Sequence, residues 1–369
     1  MPKILMVSKP MHPPWDDAAK NLARDIVLNC PDTRFHVMTA PPETFTAKNA
    51  KPAGIYSPQD GYGITLYDKI KLFFRLLQPD ELSLYHFFFA PNPKTSKMCK
   101  LAMNMKGYQK SVQTICSQPA SFENIEKLMF ANEIVTVSKD CLNKFKEAGI
   151  SNVRCIYPSV EEKEIPDADK ISEIRKQFSL PVDKTLALFA GDLEFSSAAK
   201  TLVDALPEAL KNENPAVVFC NRTKTPASHQ KLKQIKKQVA KLDASDRVFF
   251  VPPSEDFLDL LSAVDFQLLH PDSLFGKMDI PLVILEGMAL KTPAILSKLP
   301  SLEEICEDVE AAMYIEADNP AQLAEAMKSM AEDKAKRTAM ATSGLKLVKE
   351  RFSPQTMAEQ YTKLYKEFD

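Results

Sequence analysis

Glycine is scarce in this chain, which has 9 glycines among its 369 residues. Neither GxGxxG nor GxxxxGK[ST] occurs in it. Such loops hold the phosphates of NAD(P) or ATP on glycine-rich backbone at a helix N-terminus. Their absence argues against an ordinary dehydrogenase or P-loop nucleotidase. A phosphate ligand would have to be bound by helix N-termini and side chains.

Paired cysteines and metal-ligand spacings are also missing. The seven cysteines are scattered, none form CxxC, and none of the five histidines completes a zinc pattern. We therefore expect a reducing compartment, no metal and no other cofactor. No apolar run reaches the roughly 18–20 residues that cross a bilayer, and the N-terminus lacks a signal-peptide core. These features predict a cytoplasmic protein and leave peripheral contact with the inner face of a membrane open.

No large excess of charge of either sign is present. The net charge is −2 and the pI is near 6.3, which gives no general attraction to nucleic acid. The basic run 231–241 has the spacing of one solvated helix face. With 45% hydrophobic and 26% charged residues, the composition is that of a globular protein. The length favours two domains of roughly 150–200 residues each.

Short apolar runs alternate with longer periodic stretches, as is typical of βα units around a parallel sheet. A first series of strands is predicted at 3–8, 35–39, 82–89, 112–115, 134–138 and 153–157. A second series is predicted at 186–190, 217–220, 248–251, 266–270, 294–297 and 313–315. Among the helices, three are predicted at 17–29, 142–148 and 171–178. The sequence thus predicts an α/β protein with two Rossmann-like domains, 1–160 and 185–351, joined by a linker at 161–184.

Ligands of such open sheets bind beyond the carboxyl ends of the strands, which in a two-domain enzyme predicts a cleft between the domains. Within 268–299, a strand ends in a loop that contains Gly276 and Lys277, and a helix carrying Glu286 follows. Helix amides suit a diphosphate, Gly276 permits close backbone approach, and Lys277 adds a cation. The Glu286 carboxylate can accept both hydroxyl protons of a ribose.

This segment resembles the signature of GT-B-fold, retaining family 4 glycosyltransferases (glycosyl transferases group 1). The usual form of that signature is P-S-x-x-E-G-F-G-x-x-x-x-E-A-M-A-x-G-x-P-V. The matching residues here are His270-Pro271-Asp272, Glu286-Gly287-Met288-Ala289 and Lys291-Thr292-Pro293. Other stretches match in the expected order, at 131–160, 188–210, 263–271 and 351–368. The last of these implies a C-terminal helix, about 352–369, that joins the N-terminal domain.

The resemblance implies a retaining, metal-independent hexosyltransferase. Its donor would be a UDP- or GDP-sugar on the C-terminal domain, and its acceptor an unidentified sugar, lipid or protein. Of the two family glutamates, the second corresponds to Glu286, the expected ribose ligand. The first corresponds to Met278, for which Asp279 could substitute, so Met278, Asp279 and Ile280 are expected donor contacts. Pro281 offers no amide at a position where one would be useful.

The usual diphosphate cations are replaced in this chain. The family places Arg beside the glycine that corresponds to Gly191 and Lys several residues later, whereas Asp192 and Lys200 are found here. Arg222 and Lys224, after the next strand, could supply these charges. The alternative interpretation is a pair of solvated loop cations.

The loop after the first strand provides candidates on the acceptor side. The family usually has Gly-Gly there, whereas this chain has Asp16, Asp17 and Ala18. Asp16 and His12 are predicted catalytic residues, because this end of a parallel strand commonly carries function. Asp17, Ala18 and Trp15 are predicted acceptor contacts. Trp15 either stacks on a sugar or covers the hydrophobic core.

A second group of candidates lies at 84–93. His86 is a predicted catalytic residue, although a histidine inside an apolar strand is often a satisfied core residue. Asn92 follows the strand and is a predicted acceptor contact. The active-site histidine that the family often has after the strand at 112–115 is absent, because Cys116 and Ser117 stand there.

The hypotheses belong to different classes. In the leading one, Lys277, Arg222 and helix amides stabilise the leaving diphosphate of a sugar donor. The alternative is a nucleotide-sugar-binding or scaffold protein of the same fold that has lost catalysis, which Met278 and Asp192 favour. A sugar-nucleotide epimerase is the third, but the several carboxylates and histidines that it needs cannot be assembled here.

Overall fold

The structure is a computed structural model of the chain. It describes residues 1–13, 15, 17–42, 45–57, 65–78, 81–107, 110–212, 214–223, 225–254 and 256–368, with the backbone alone for Asp192. By its contacts the chain divides into two compact units. The first unit comprises Met1–Ser159, Phe275–Pro281 and Phe352–Asp369, and the second comprises Val160–Leu274 and Leu282–Arg351.

The first unit is built on a parallel sheet whose seven described strands have the order β3-β2-β1-β4-β5-β6-β7. The strands are β1 (Lys3–Val7), β2 (Arg34–Thr39), β3 (Ala50–Gly54), β4 (Leu84–Phe88), β5 (Ser111–Ile115), β6 (Glu133–Thr136) and β7 (Val153–Cys155). The helices are α1 (Ala18–Asn29), α2 (Leu66–Leu77), α3 (Pro93–Met105) and α4 (Lys139–Glu147), and this unit also contains the C-terminal helix.

The second unit is built on a parallel sheet whose six described strands have the order β10-β9-β8-β11-β12-β13. The strands are β8 (Leu186–Asp192), β9 (Ala216–Arg222), β10 (Val248–Phe250), β11 (Phe266–Leu269), β12 (Ala294–Ser297) and β13 (Ala312–Ile315). The helices are α5 (Ala168–Gln177), α6 (Ala198–Ala209), α7 (Pro226–Val239), α8 (Phe257–Ser262), α9 (Leu282–Ala289), α10 (Pro300–Glu303), α11 (Pro320–Glu332) and α12 (Lys334–Arg351). The C-terminal helix, α13, spans Pro354–Lys366.

The predicted α/β class is confirmed, and each predicted strand has a counterpart in the two sheets. The pattern was readable because parallel strands with both faces covered form continuous apolar runs. Strand β3 was not predicted. It pairs only with β2 among the described strands, and its Lys51 and Pro52 are exposed. Proline and lysine are tolerated on an edge strand, which therefore lacks the apolar signal.

The stretch 161–184, predicted to be a linker, lies within the second unit and contains α5. Arg175 of α5 is buried, and its guanidinium donates to the carbonyl of Ala263 at 2.8 Å and to Asp265 at 2.8 Å. Asp265 also accepts the amide of Leu186, the first residue of β8. These bonds tie α5 to the sheet, whereas the polar sequence of the stretch suggested an independent connection.

Each sheet has a switch point, where successive connections leave in opposite directions. In the first unit the order reverses between β1 and β4, and in the second between β8 and β11. Open α/β sheets bind ligands beyond the carboxyl ends of the strands at such a point. Among the described residues, no helix is both long enough and apolar enough to span a membrane.

Candidate functional site

The switch point of the second unit brings together several predicted donor residues. Gly191, near the end of β8, has a φ of +124°, a backbone conformation that residues with a Cβ rarely adopt. The Asn221 side chain donates to the Gly191 carbonyl at 3.2 Å, which joins the ends of β8 and β9. Arg222 is the last residue of β9 and is exposed. Lys224 lies outside the described residues, so only one of the two predicted cations is placed at this edge.

The signature residues after β11 hold the N-terminus of α6. His270 is buried, and its Nε2 lies 3.0 Å from the carbonyl oxygen of Ala198. The Asp272 carboxylate accepts the amide of Ser197, the N-cap residue of α6, at 2.8 Å. Ser297, at the end of β12, donates its hydroxyl to the Pro271 carbonyl at 2.6 Å. His270, Pro271 and Asp272 therefore fix the carboxyl edge of the sheet at the switch point.

Helix α9 carries Glu286, which is half-buried one turn after the helix begins at Leu282. The next residue, Gly287, lies beneath the side chain of Gln267 from β11. A Cβ added to Gly287 would lie 1.9 Å from the Gln267 Nε2. That amide donates to the carbonyls of Ile284 and Thr292 at 3.3 and 3.2 Å. This contact explains why the chain has glycine where the family signature usually has alanine.

Lys291 follows α9 and has a φ of +61°, in the left-handed region. It stands where the family signature usually has glycine, the residue best suited to that conformation. Thr292 then donates its amide to the Gly287 carbonyl at 2.7 Å and its hydroxyl to the Leu261 carbonyl at 2.9 Å. Lys291 thus has a left-handed conformation that glycine would adopt without strain.

In the first unit, Asp17 is the N-cap residue of α1. Its side chain accepts the amide of Lys20 at 3.0 Å and forms an ion pair with Lys9. Burial raises the pKa of Asp17, but Lys9 and the Lys20 amide outweigh this effect and hold the pKa below its usual value. A carboxylate of this chain therefore occupies the start of α1, where Ala18 is the first helical residue. The family usually places a Gly-Gly loop here, facing the donor phosphates.

The remaining candidates in the loop after β1 make internal contacts. Trp15 is half-buried and packs edge-on against Phe45, with ring centroids 6.0 Å apart. The Arg24 guanidinium lies 4.8 Å from the centre of the Trp15 ring, a cation–π contact. These contacts favour the core-covering alternative for Trp15. His12 is half-buried, with Nδ1 2.5 Å from the Pro13 carbonyl oxygen. Asp16 lies outside the described residues.

His86 lies in the core of the first unit. It is fully buried in β4, with Nδ1 2.8 Å from the Tyr365 hydroxyl and Nε2 2.7 Å from the Thr114 hydroxyl. Burial lowers the pKa of His86 to about 3. A neutral imidazole with both nitrogens engaged is a satisfied core histidine, so this geometry does not support the predicted catalytic role. Instead, His86 connects the sheet to α13.

Asn92 is exposed at the carboxyl end of β4, where its side chain caps α3 by accepting the Thr95 amide at 2.9 Å. It lies at the switch point of the first unit, as do the residues of the loop after β1. Its side-chain oxygen serves as a helix cap, and the acceptor contact stays a prediction.

The segment Phe275–Pro281, predicted as part of the donor domain, groups with the first unit. Asp279 is hydrogen-bonded to other residues of that unit. Its amide donates to the Cys116 carbonyl at 2.9 Å, and its carboxylate accepts the Ser138 hydroxyl at 2.9 Å and the Gln118 amide at 3.1 Å. Asp279 is fully buried, and burial raises its pKa to about 7 although these hydrogen bonds lower it. The segment is thus fixed on residues that follow β5 and β6.

This geometry changes the expectation for the residues around Asp279. Its carboxylate oxygens are held inside the first unit, so it is not placed to replace the missing family glutamate. Met278 and Ile280 are also buried. Gly276 is exposed, with a φ of +70°, and Lys277 is half-buried. The Ser138 partner was not predicted, although the run Ser138-Lys139-Asp140 has the form of a helix N-cap.

No group of three or more His, Cys, Asp or Glu side chains within the described ranges is arranged to hold a metal ion. The cysteines are free, and all except Cys155 are buried. Burial raises the pKa of the Cys116 thiol well above its usual value, so this residue at the end of β5 is not an activated nucleophile.

A family model for glycosyl transferases group 1 matches residues 170–347. A D-inositol 3-phosphate glycosyltransferase of Xylanimonas cellulosilytica is 28% identical over 190 residues, covering 50% of this chain and 43% of that protein. A protein of the same name from Corynebacterium kroppenstedtii is 22% identical over 264 residues, covering 69% of this chain and 55% of that protein. The chain therefore spans about half the length of these curated relatives.

Solved structures with the same fold cover nearly the whole chain. HepE of Anabaena in complex with UDP and glucose has a TM-score of 0.78 and 18% identity, covering 99% of both chains. Sucrose-phosphate synthase of Thermosynechococcus elongatus has a TM-score of 0.77 and 17% identity, covering 100% of this chain and 99% of the other. The chain thus has the predicted GT-B fold of two Rossmann-like domains, and its residues 170–347 resemble the glycosyl transferases group 1 family.

Proposed function

We propose that the chain transfers a sugar from a nucleoside-diphosphate sugar to an acceptor hydroxyl. The match of residues 170–347 to the glycosyl transferases group 1 family carries this proposal. The donor would bind at the carboxyl edge of the second sheet, where Gly191, Arg222 and the His270–Asp272 loop lie at the switch point. UDP is the first nucleotide to test, because HepE was solved with UDP. GDP remains the alternative.

The residues at this edge suit a diphosphate. Gly191 has no Cβ and can adopt its positive φ without strain, so the backbone at this strand end can approach a phosphate. Arg222 presents a forked cation that matches phosphate oxygens. Glu286 in α9 is proposed to accept the ribose hydroxyl protons. The contribution of Lys277 to diphosphate binding remains a prediction.

We propose that transfer proceeds with retention of configuration and without an essential metal ion. The acceptor oxygen attacks the anomeric carbon on the face from which the diphosphate leaves, and the bond from that carbon to the phosphate oxygen breaks. The acceptor proton passes to the leaving phosphate. This route needs stabilisation of the developing negative charge more than a protein base. It fits a chain whose family glutamate is replaced by buried Met278 and whose Asp279 carboxylate is engaged.

Donor binding is tested by calorimetry with UDP, GDP and UDP-glucose. Glu286→Ala should weaken nucleotide binding by roughly 2–4 kcal/mol, as expected for losing hydrogen bonds to a charged group. Arg222→Ala should weaken the binding of nucleoside diphosphates more than the binding of the free nucleoside. Lys233→Ala, an exposed change on α7, is the matched control. Unchanged nucleotide affinity in Glu286→Ala would overturn the ribose assignment.

Turnover distinguishes a transferase from a binding protein of the same fold. The binding protein is the alternative that Met278 and the hydrogen-bonded Asp279 carboxylate favour. The measurement is nucleotide release from UDP- and GDP-sugars, with and without candidate sugar, lipid or protein acceptors and with a chelator. Release that persists in chelator, with a product of retained anomeric configuration by NMR, supports the proposal. Tight donor binding without release from any donor would favour the binding protein. The expected cytoplasmic location remains a prediction.

A further inference from the structure

Helices α2 and α3 cover the same face of the first sheet. Residues of both helices pack with strand residues in one hydrophobic cluster, which includes Leu72, Leu76, Cys99, Ala102, Met103, Leu5, Val7, Tyr85 and Phe87. The two helices also contact each other. Because their inward sides meet this cluster, the opposite sides of both helices face outward from the same layer.

The outward side of α2 is apolar. Leu66, Ile70 and Phe74 recur at four-residue spacing, which places them in one row along the helix. Together with Tyr67 they are between 47% and 75% exposed. The inward row Asp68, Leu72 and Leu76 is buried, so α2 has apolar residues on both sides. A helix that covers a sheet normally has a polar outer side, so this exposed apolar row indicates a binding surface.

Cations flank the row and continue onto α3. Lys69 lies on one side of it, and Lys71 lies on the other with its ammonium 4.5 Å from the centre of the Tyr67 ring. On α3 the exposed residues are Pro93, Lys94, Lys97, Lys100, Leu101, Asn104 and Met105. No aspartate or glutamate occurs anywhere from residue 82 to residue 122. A chain of net charge −2 therefore carries a local surface that is both basic and apolar.

We propose that this surface, the α2–α3 face, binds an anionic lipid membrane in the plane of its headgroups. The face comprises the apolar residues Leu66, Tyr67, Ile70, Phe74, Leu101 and Met105, and the cations Lys69, Lys71, Arg75, Lys94, Lys97 and Lys100. Interfacial helices pair an apolar row, which enters the acyl boundary, with flanking lysines that meet anionic headgroups. Nucleic acid would use the cations but would leave the exposed aliphatic row without a partner.

The α2–α3 face is independent of the proposed sugar transfer, so its test needs no substrate. The purified full chain is sedimented with phosphatidylcholine vesicles and with vesicles that contain about one third phosphatidylglycerol. We expect binding to the anionic vesicles that weakens at high salt, and little binding to the zwitterionic ones. Binding that is equal for both vesicle types, or absent from both, would overturn the proposal.

Two double variants separate the components of the face. Lys97→Glu/Lys100→Glu should lower the partition coefficient about tenfold or more, because each cation near an anionic surface contributes measurably. Ile70→Ser/Phe74→Ser should lower it by a similar factor through lost apolar burial. Lys233→Glu/Lys237→Glu makes the same charge change on the exposed side of α7 and should bind like the wild type. Binding that survives both face variants contradicts the proposal.

Hydrogen exchange of the unmodified protein provides a measurement that does not depend on variants. Anionic vesicles should slow exchange within 66–78 and 93–106. Protection confined to another region would overturn the assignment. Lipid-free self-association that Ile70→Ser/Phe74→Ser abolishes would identify the face as an interface between two copies of the chain and would also contradict membrane binding.

Discussion

The Ser138 hydroxyl donates a hydrogen bond to the Asp279 carboxylate at 2.9 Å, across 141 positions of sequence. The same Ser138 oxygen accepts the amide of Cys141 at 3.1 Å and so caps α4. One serine therefore both begins a helix and fixes the segment Phe275–Pro281. Burial raises the pKa of the Asp279 carboxyl that this contact holds to about 7.

Asp279 should make the first unit less stable as the pH rises. Its folded pKa is about 7 against 3.8 for the ordinary carboxyl, so the folded state retains a proton that the unfolded state loses. Stability contributed by the protonated form is present below pH 4 and is lost toward pH 7. The free energy of unfolding of Asp279→Asn, compared with that of the wild type, should therefore rise by about 2–3 kcal/mol as the pH increases from 4.5 to 7. Urea unfolding followed by Trp15 fluorescence reports on this unit, because Trp15 is the only tryptophan.

His86 should have the opposite effect on the same unit. Its folded pKa is about 3 against 6.5, so the unfolded state binds a proton first, and stability is lost as the pH falls below 6.5. The free energy of unfolding of His86→Gln, compared with that of the wild type, should therefore rise by about 2–3 kcal/mol as the pH falls from 7 to 4.5. The same Trp15 measurement applies. If the difference curves of the Asp279 and His86 variants have the same sign, one of the two burial arguments is wrong.

The strands of the two sheets were predictable because each is marked by a short stretch of its own sequence. Runs such as Ile4–Val7 and Val217–Cys220 are buried on both faces, and burial on both faces selects continuous apolar sequence. Strand β3 has no such run, because its outer edge faces solvent. The burial of Arg175 in α5 was not predicted, because a charged side chain is expected to be solvated unless its partners are known. Its partners here are Asp265 and the Ala263 carbonyl.

The site was less predictable because its contacts are distant in sequence. The ends of β8, β9 and β11 lie at one edge of the sheet because these strands are parallel neighbours, and Gly191 and Arg222 lie at that edge. Their role in donor binding stays a prediction. The positions of Asp279 and His86 depend on partners at Ser138 and Tyr365, which no local pattern reveals. A core role for His86 was one of the alternatives because His86 lies within an apolar run, whereas no residue near Asp279 in the sequence indicates its burial in the first unit.

Gly287→Ala should destabilise the second unit even though alanine is the usual family residue. The added Cβ would meet the Gln267 amide at 1.9 Å and displace it from the carbonyls of Ile284 and Thr292. We expect a loss of about 1–3 kcal/mol in urea unfolding followed by circular dichroism. Gln267→Ala/Gly287→Ala should cost less than the sum of the two single changes, because the clash is gone. Additive costs would show that the Gln267 contact is not the cause.

Lys291→Gly should stabilise the second unit, which would be unusual for a change to glycine. Lys291 is exposed and has a φ of +61°, where a Cβ is strained and glycine is not. The relief of strain exceeds the entropy that glycine gains in the unfolded chain, so we expect a net gain of about 0.5–1 kcal/mol. Lys291→Ala is the matched control, since it removes the same side chain but keeps the Cβ, and it should give no gain. Equal stabilities of the two variants, measured by urea unfolding with circular dichroism, would assign any effect to the lysine side chain and not to backbone strain.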